Sequence, residues 1–131
     1  MAKIIGPIKT TNWEDTDTTF LSREYGNDAE LITQSAMSSI SYSVWDVSGS
    51  TPTSAIVSAS SLTVSAVVYD TLQNGQEWDL DEIGYNFKYT VAGSNFNAPR
   101  HMYQVEFIFN PSSGGDWPLV FHHTTLALMT S

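Results

Sequence analysis

The chain has no cysteine and only five basic residues, and each shortage narrows what it can do. Without a thiol there is no disulfide, no thiolate metal ligand and no cysteine nucleophile. A cysteine-free chain also suits folding in a reducing cytosol. Five lysines and arginines against fourteen acids leave a formal charge of −9. The basic residues (Lys3, Lys9, Arg23, Lys88 and Arg100) are scattered along the chain. Affinity for nucleic acid comes from clustered cations, so nucleic acid is not an expected partner. The acid excess favours solubility and opposes self-association, or complements a basic partner surface. Long apolar runs are missing too. Nothing approaches the ~20 residues of a membrane span, and the opening MAKIIGPIKTTNW is broken by Gly6 and Pro7. Neither a membrane nor a secretory signal is therefore expected, and synthesis is expected in the cytoplasm.

What is present points to strands. The 131 residues suit one domain, which buries about two-thirds of the surface its unfolded chain would expose. Serine, threonine and aromatics favour extended, half-buried segments. Three stretches alternate with period two. In Ser39–Val47, Ile40, Tyr42 and Val44 share a face, with serines and Trp45 on the other. In Asn86–Val91, Phe87, Tyr89 and Val91 alternate with Asn86, Lys88 and Thr90. In His101–Phe109, Tyr103, Val105, Phe107 and Phe109 oppose Gln104 and Glu106. Less regular strands are expected over Lys3–Lys9, Thr18–Glu24, Ser61–Val64 and Leu119–Leu128. The last pairs with His101–Phe109 through the turn formers of NPSSGGDW. In Ser65–Gln73, Val68 and Leu72 stand four apart and Ser65 can cap, which predicts one or two helical turns. Ser48–Ser61 reads as a mobile loop or an edge hairpin. Together these predict an all-β fold, a single antiparallel β-sandwich of immunoglobulin-like or jelly-roll-like type, with a small closed barrel as the alternative. Residues 1–17 read as an extended N-terminal arm and 18–131 as the sandwich.

Candidate chemistry is sparse. Trp78-Asp79-Leu80-Asp81-Glu82-Ile83-Gly84 opens like a calcium loop, with aspartates at the first and third positions and glycine at the sixth. It then fails, with Ile83 at the fifth position and Thr90 at the twelfth, where a bidentate glutamate is needed. Asp79 and Asp81 are thus weak metal candidates, and no metal or other cofactor is expected. Glu14-Asp15-Thr16-Asp17 reads as a solvated acidic run. His122 and His123 fall on opposite faces of a strand and cannot easily grip one ion, even with His101 across the hairpin. Serines abound, but no G-x-S-x-G elbow occurs, and a domain this small with short loops has little room for a cleft. The expectation is a protein that is not an enzyme. Of the four tryptophans, Trp45 and Trp78 are expected to close the ends of the core. Trp13, on an arm with no core of its own, is expected to contact another molecule. Exposed aromatics would also suit a carbohydrate-binding module.

Four runs carry a resemblance: Ser38–Asp46, Val67–Gln73, Trp78–Phe87 and Tyr103–Phe109. Over roughly residues 36–128 the chain resembles small proteins of tailed phages and prophages. Those are similar in layout to the sandwich domains that decorate heads or build tail tips and baseplates. The resemblance implies a scaffold and transfers no catalytic residue. Baseplate domains of that kind usually precede a long fibre part, whereas this chain stops at Ser131, so a stand-alone decoration subunit is the favoured version. It implies a structural virion protein, a capsid decoration or cement subunit binding the major capsid protein, with a tail, baseplate or neck adaptor as the alternative. A symmetric homo-oligomer is expected, with a trimer among the arrangements it fits. An interface built by Ile4, Ile5, Ile8 and Trp13 of the arm would add a strand or an apolar anchor to a neighbour.

Overall fold

A computed structural model describes residues 7–49 and 55–129. The strands are β1 (Ile8–Trp13), β2 (Thr18–Ser22), β3 (Met37–Asp46), β4 (Val57–Leu62), β5 (Val68–Gln73), β6 (Tyr85–Val91), β7 (Met102–Pro111) and β8 (Trp117–Leu126). One helical turn, α1 (Val64–Val67), leads from β4 into β5. The strands form two sheets, of order β1-β8-β7-β3-β4 and β2-β6-β5. The expected all-β sandwich is thus present. Its order, with β3, β7 and β8 adjacent in one sheet and β2, β6 and β5 in the other, is that of immunoglobulin-type sandwiches rather than jelly rolls. Among the described residues, no helix is long and apolar enough to cross a membrane.

Alternation in the sequence becomes burial. Ile40 and Val44 of β3, Phe87 and Val91 of β6, and Val105, Phe107 and Phe109 of β7 are fully buried. Phe20 on β2 reaches across the gap, with its ring 4.7 Å from that of Phe121 and 6.0 Å from that of Phe107. Phe87 meets Phe107 edge-on at 5.0 Å. Each ring buried at this depth contributes roughly 1.5–3 kcal/mol. Tyr103 pins the β6–β7 corner, where its hydroxyl accepts a hydrogen bond from the Ala98 N–H at 3.0 Å. This is the corner tyrosine device of immunoglobulin-type domains.

The expectation of a separate arm is corrected. The arm is not separate over its second half, because Ile8–Trp13 is β1, an edge strand paired parallel to β8 from Ile8↔Phe121 to Trp13↔Leu126. The sandwich is therefore antiparallel except at this pair. The physical reason is that β8 has an open edge, where Thr10 bonds His123 of β8, while Asn12 reaches Thr18 of β2. The one or two helical turns expected over Ser65–Gln73 are present as the single turn α1, which crosses from one sheet to the other. From Val68 the chain is strand, because Val67 and Val68 are both buried, and an isolated turn has too few hydrogen bonds to continue. Of the mobile loop or edge hairpin expected over Ser48–Ser61, the described residues show the edge hairpin, in which β4 pairs antiparallel with β3.

Asn86, expected on a polar face, is buried because the β2–β3 loop folds over it. Its amide accepts from Glu24 N–H at 2.7 Å and donates to Glu24 C=O at 3.0 Å, imitating a ladder partner. Gly93 allows a second close approach, since a Cβ there would stand 2.3 Å from the Asp15 carbonyl.

His123 is fully buried between the sheets. The Thr18 hydroxyl donates to the Thr16 carbonyl and so accepts from His123 Nε2, at 3.5 Å. His123 Nδ1 then accepts from the Thr10 hydroxyl at 2.8 Å. Burial pushes the imidazole down to about 4, whereas the unfolded chain takes up that proton near ~6.5. The contribution is complete above ~6.5 and declines as pH falls toward the native value. Unfolding free energy from urea melts is expected to drop by on the order of 2–3 kcal/mol across that window. His123→Gln should flatten most of the decline, and an unchanged slope in the variant would place the titration elsewhere.

Candidate interaction surface

The four residues expected to form one interface are not brought together. Ile4 and Ile5 lie outside the described residues. Ile8 and Trp13 sit on opposite faces of β1, because five positions separate them on a strand of period two. Ile8 faces the seam between the sheets, and Trp13 faces outward from the five-stranded sheet. Two surfaces result.

The first is the seam. Where β1 and β2 diverge, a groove of about 240 Å³ opens, lined by Ile8, Phe20, Leu21, Phe121, Trp78 and Leu80 among others. Its wall is the β5–β6 connection, which Asp81 organises. One oxygen of Asp81 accepts from the Trp78 indole N–H at 3.0 Å and from the Ile83 and Gly84 amides at 2.9 and 3.2 Å. Arg23 adds an ion pair at 2.9 Å. The guanidinium first, and then the indole, hold the Asp81 carboxyl well below the usual carboxylate range. Gly84 closes the loop at φ +109°, where a Cβ would lie 2.3 Å from the Gln73 carbonyl. A bound backbone of this kind leaves Leu80 and Ile83 outside, 75% and 55% exposed. Nearby, Glu77 accepts from the Tyr85 hydroxyl at 2.7 Å and pairs with Lys88 at 3.2 Å. Burial and then Glu77 push the Tyr85 phenol up to about 12.

Of the two weak metal candidates, Asp81 is paired with the guanidinium of Arg23, and Asp79 lies exposed beside it. The histidines are likewise engaged separately: His101 with Asp46 at 2.6 Å, His122 with Gln104 at 3.0 Å, and His123 with the threonines. Among the described residues, no three potential ligands converge. Asp17 accepts from the Gly93 amide at 2.7 Å, so part of the acidic run is a structural clamp. Trp78 is buried as expected. Trp117 is buried as well, stacked on Phe109 at 5.4 Å, with its indole donating to Glu24 at 3.0 Å. A glycan platform built on Trp78 is not accessible. A larger hollow of about 390 Å³, between the β2–β3 loop and the β7–β8 turn, is lined by Asn27, Asp28, Ile32, Met37, Pro111 and Ser113 among others. Its Asn27 amide is bonded to the Gly115 carbonyl at 3.1 Å.

The second surface is the outer face of the five-stranded sheet. Trp13 (47% exposed) stands beside Leu126 (39%), and Met102 (39%) lies diagonally across on β7. Sequence reasoning singled out Trp13 and Ile8 but missed Leu80, Ile83, Leu126 and Met102. A signal existed for Leu80 and Ile83, since two apolar residues within an acidic loop have no period that would bury them.

Comparison with protein-family models, curated proteins and solved structures gives no match.

Asp81→Ala is expected to speed amide exchange at Ile83 and Gly84 while leaving β7 and β8 protected, as measured by hydrogen–deuterium exchange. Uniform acceleration through the sandwich would mean that Asp81 supports the whole fold rather than this loop.

Proposed function

We propose that the chain is a structural, non-enzymatic subunit of a tailed-bacteriophage particle, a head decoration or cement protein that binds the major capsid protein. The virion assignment rests on the resemblance over residues 36–128, and the seam supports contact with a partner protein: Ile8 of β1 and Leu80, on the loop fixed by Asp81, present apolar surface around a small groove. A chain of net charge −9 keeps such groups in water only at a cost in solubility, and exposed apolar patches of this kind mark partner sites. The flanking Asp79 and Glu82 are exposed, which suits a partner that inserts an apolar side chain between lysines or arginines. Charge of that sign steers encounter, and the apolar contact slows release.

Quantitative mass spectrometry of density-purified particles tests the assignment. Near parity with the major shell protein is expected. A small, reproducible ratio would move the subunit to the tail or neck, and absence from particles would overturn the virion reading. Leu80→Asp, at an exposed position whose change costs little stability, is expected to lower particle occupancy by about tenfold or more. Full occupancy by a folded variant would remove the seam as the contact.

A further inference from the structure

We infer that the outer face of the five-stranded sheet docks a second copy of this chain, face to face about a two-fold axis. The inference is independent of the virion reading and uses a surface distinct from the seam.

Charge distribution is the first ground. Of fourteen acidic residues, Glu106 alone projects from this face; the others lie in the connections, at strand ends or on the second sheet. Lys9 is on the same face in register with His122, so the face is close to neutral in a strongly acidic molecule. Two copies carrying −9 each repel through every acidic surface. On this face a single carboxylate per copy, that of Glu106, opposes their approach.

Apolar content is the second ground. Strand registers place Trp13 beside Leu126, and Met102 opposite Thr124, with Trp45 opposite Gln104. Val120 and Ile108 continue the face on β8 and β7. Tryptophan and methionine are enriched at the cores of protein interfaces, where charge is depleted. Polar groups at the centre are already satisfied within the copy. Gln104 Oε1 can only accept, so His122 Nε2 is the donor at 3.0 Å, and the Gln104 amide in turn donates to Glu106. These bonds stay formed when the face is covered.

Size is the third. Strands β3, β7 and β8 have ten residues each, about 33 Å at ~3.3 Å per residue. Five strands ~4.8 Å apart span about 19 Å, so the face offers roughly 600–800 Å². A standard stable interface buries about 800 Å² per partner. A sheet face opposed to its own copy is self-complementary and closes as a dimer, with strands crossing at about 30°. Among the symmetric arrangements expected, this favours a two-fold pair over a trimer.

Sedimentation velocity of the full chain tests this. At ~100 µM, above the micromolar Kd of an ordinary interface of this size, the species is expected at twice the chain mass. Added salt should strengthen association by screening the −9 charges. The double variant Trp13→Glu and Leu126→Glu should weaken dimerisation at least tenfold with unchanged circular dichroism, while Leu80→Asp leaves it intact. Should the double variant misfold, acrylamide quenching of the unmodified chain decides, since Trp13 and Trp45 become shielded as concentration rises. A monomer at ~100 µM, a trimer, dissociation by salt or concentration-independent quenching would each overturn the inference.

Discussion

A sandwich without a disulfide must hold its two sheets together by packing alone, and here that task falls to Phe20. Its ring sits at the meeting point of Phe107, Phe121, Phe96 and the imidazole of His123, so β2 is anchored to β7 and β8 at once. In antibody domains a covalent bridge joins the corresponding strands. With no cysteine available, an aromatic cluster has to supply the same restraint through shape. The cost of that solution is sensitivity to volume, since such clusters tolerate neither holes nor excess atoms. The polar bonds around it, His123 to Thr10 and Thr18, extend the restraint to β1 without placing a charge in the core.

Legibility of the fold followed how strongly each segment is tied to that core. Strands β3, β6 and β7 have one face wholly inside, so their alternation survives in the sequence as Ile40/Val44, Phe87/Val91 and Val105/Phe107/Phe109. Edge strands lose that signal. Strand β4 is exposed at Ala59 and Ser60, and β1 buries no side chain, so neither carries a clear period. The stretch Ser65–Gln73 was legible in part, since the turn is present but the strand that follows it was not foreseen. Its four-residue spacing of Val68 and Leu72 mimics a helix, whereas consecutive buried valines at 67 and 68 mark a change from turn to strand. That change is imposed by docking against β6, which local preference does not encode.

The candidate surfaces were only half legible for a related reason. An exposed apolar residue is recognisable only once the burial of its neighbours is known. Trp13 stood out because its segment had no core of its own, yet its partners Leu126 and Met102 lie 113 and 89 positions along the chain and meet it through strand register. Asp81 stood out only as a weak metal candidate, from its spacing to Asp79, with no metal expected. Its actual partner, Arg23, comes from a loop 58 residues earlier. Contacts made across sheets carry no local pattern, and charge pairing is the case where this matters most.

The parallel pairing of β1 with β8 has a mechanical consequence. Both strands run the same way, so the chain enters the pair beside Phe121 and leaves it beside Trp13 and Leu126. A pull applied between the two ends of the polypeptide therefore slides β1 lengthwise along β8. The six residue pairs of that ladder carry the load together and do not peel one at a time. A subunit held at its first strand by one neighbour and near Leu126 by another would resist stretching with a short, stiff clamp at its edge, while the aromatic interior stays unstrained behind it.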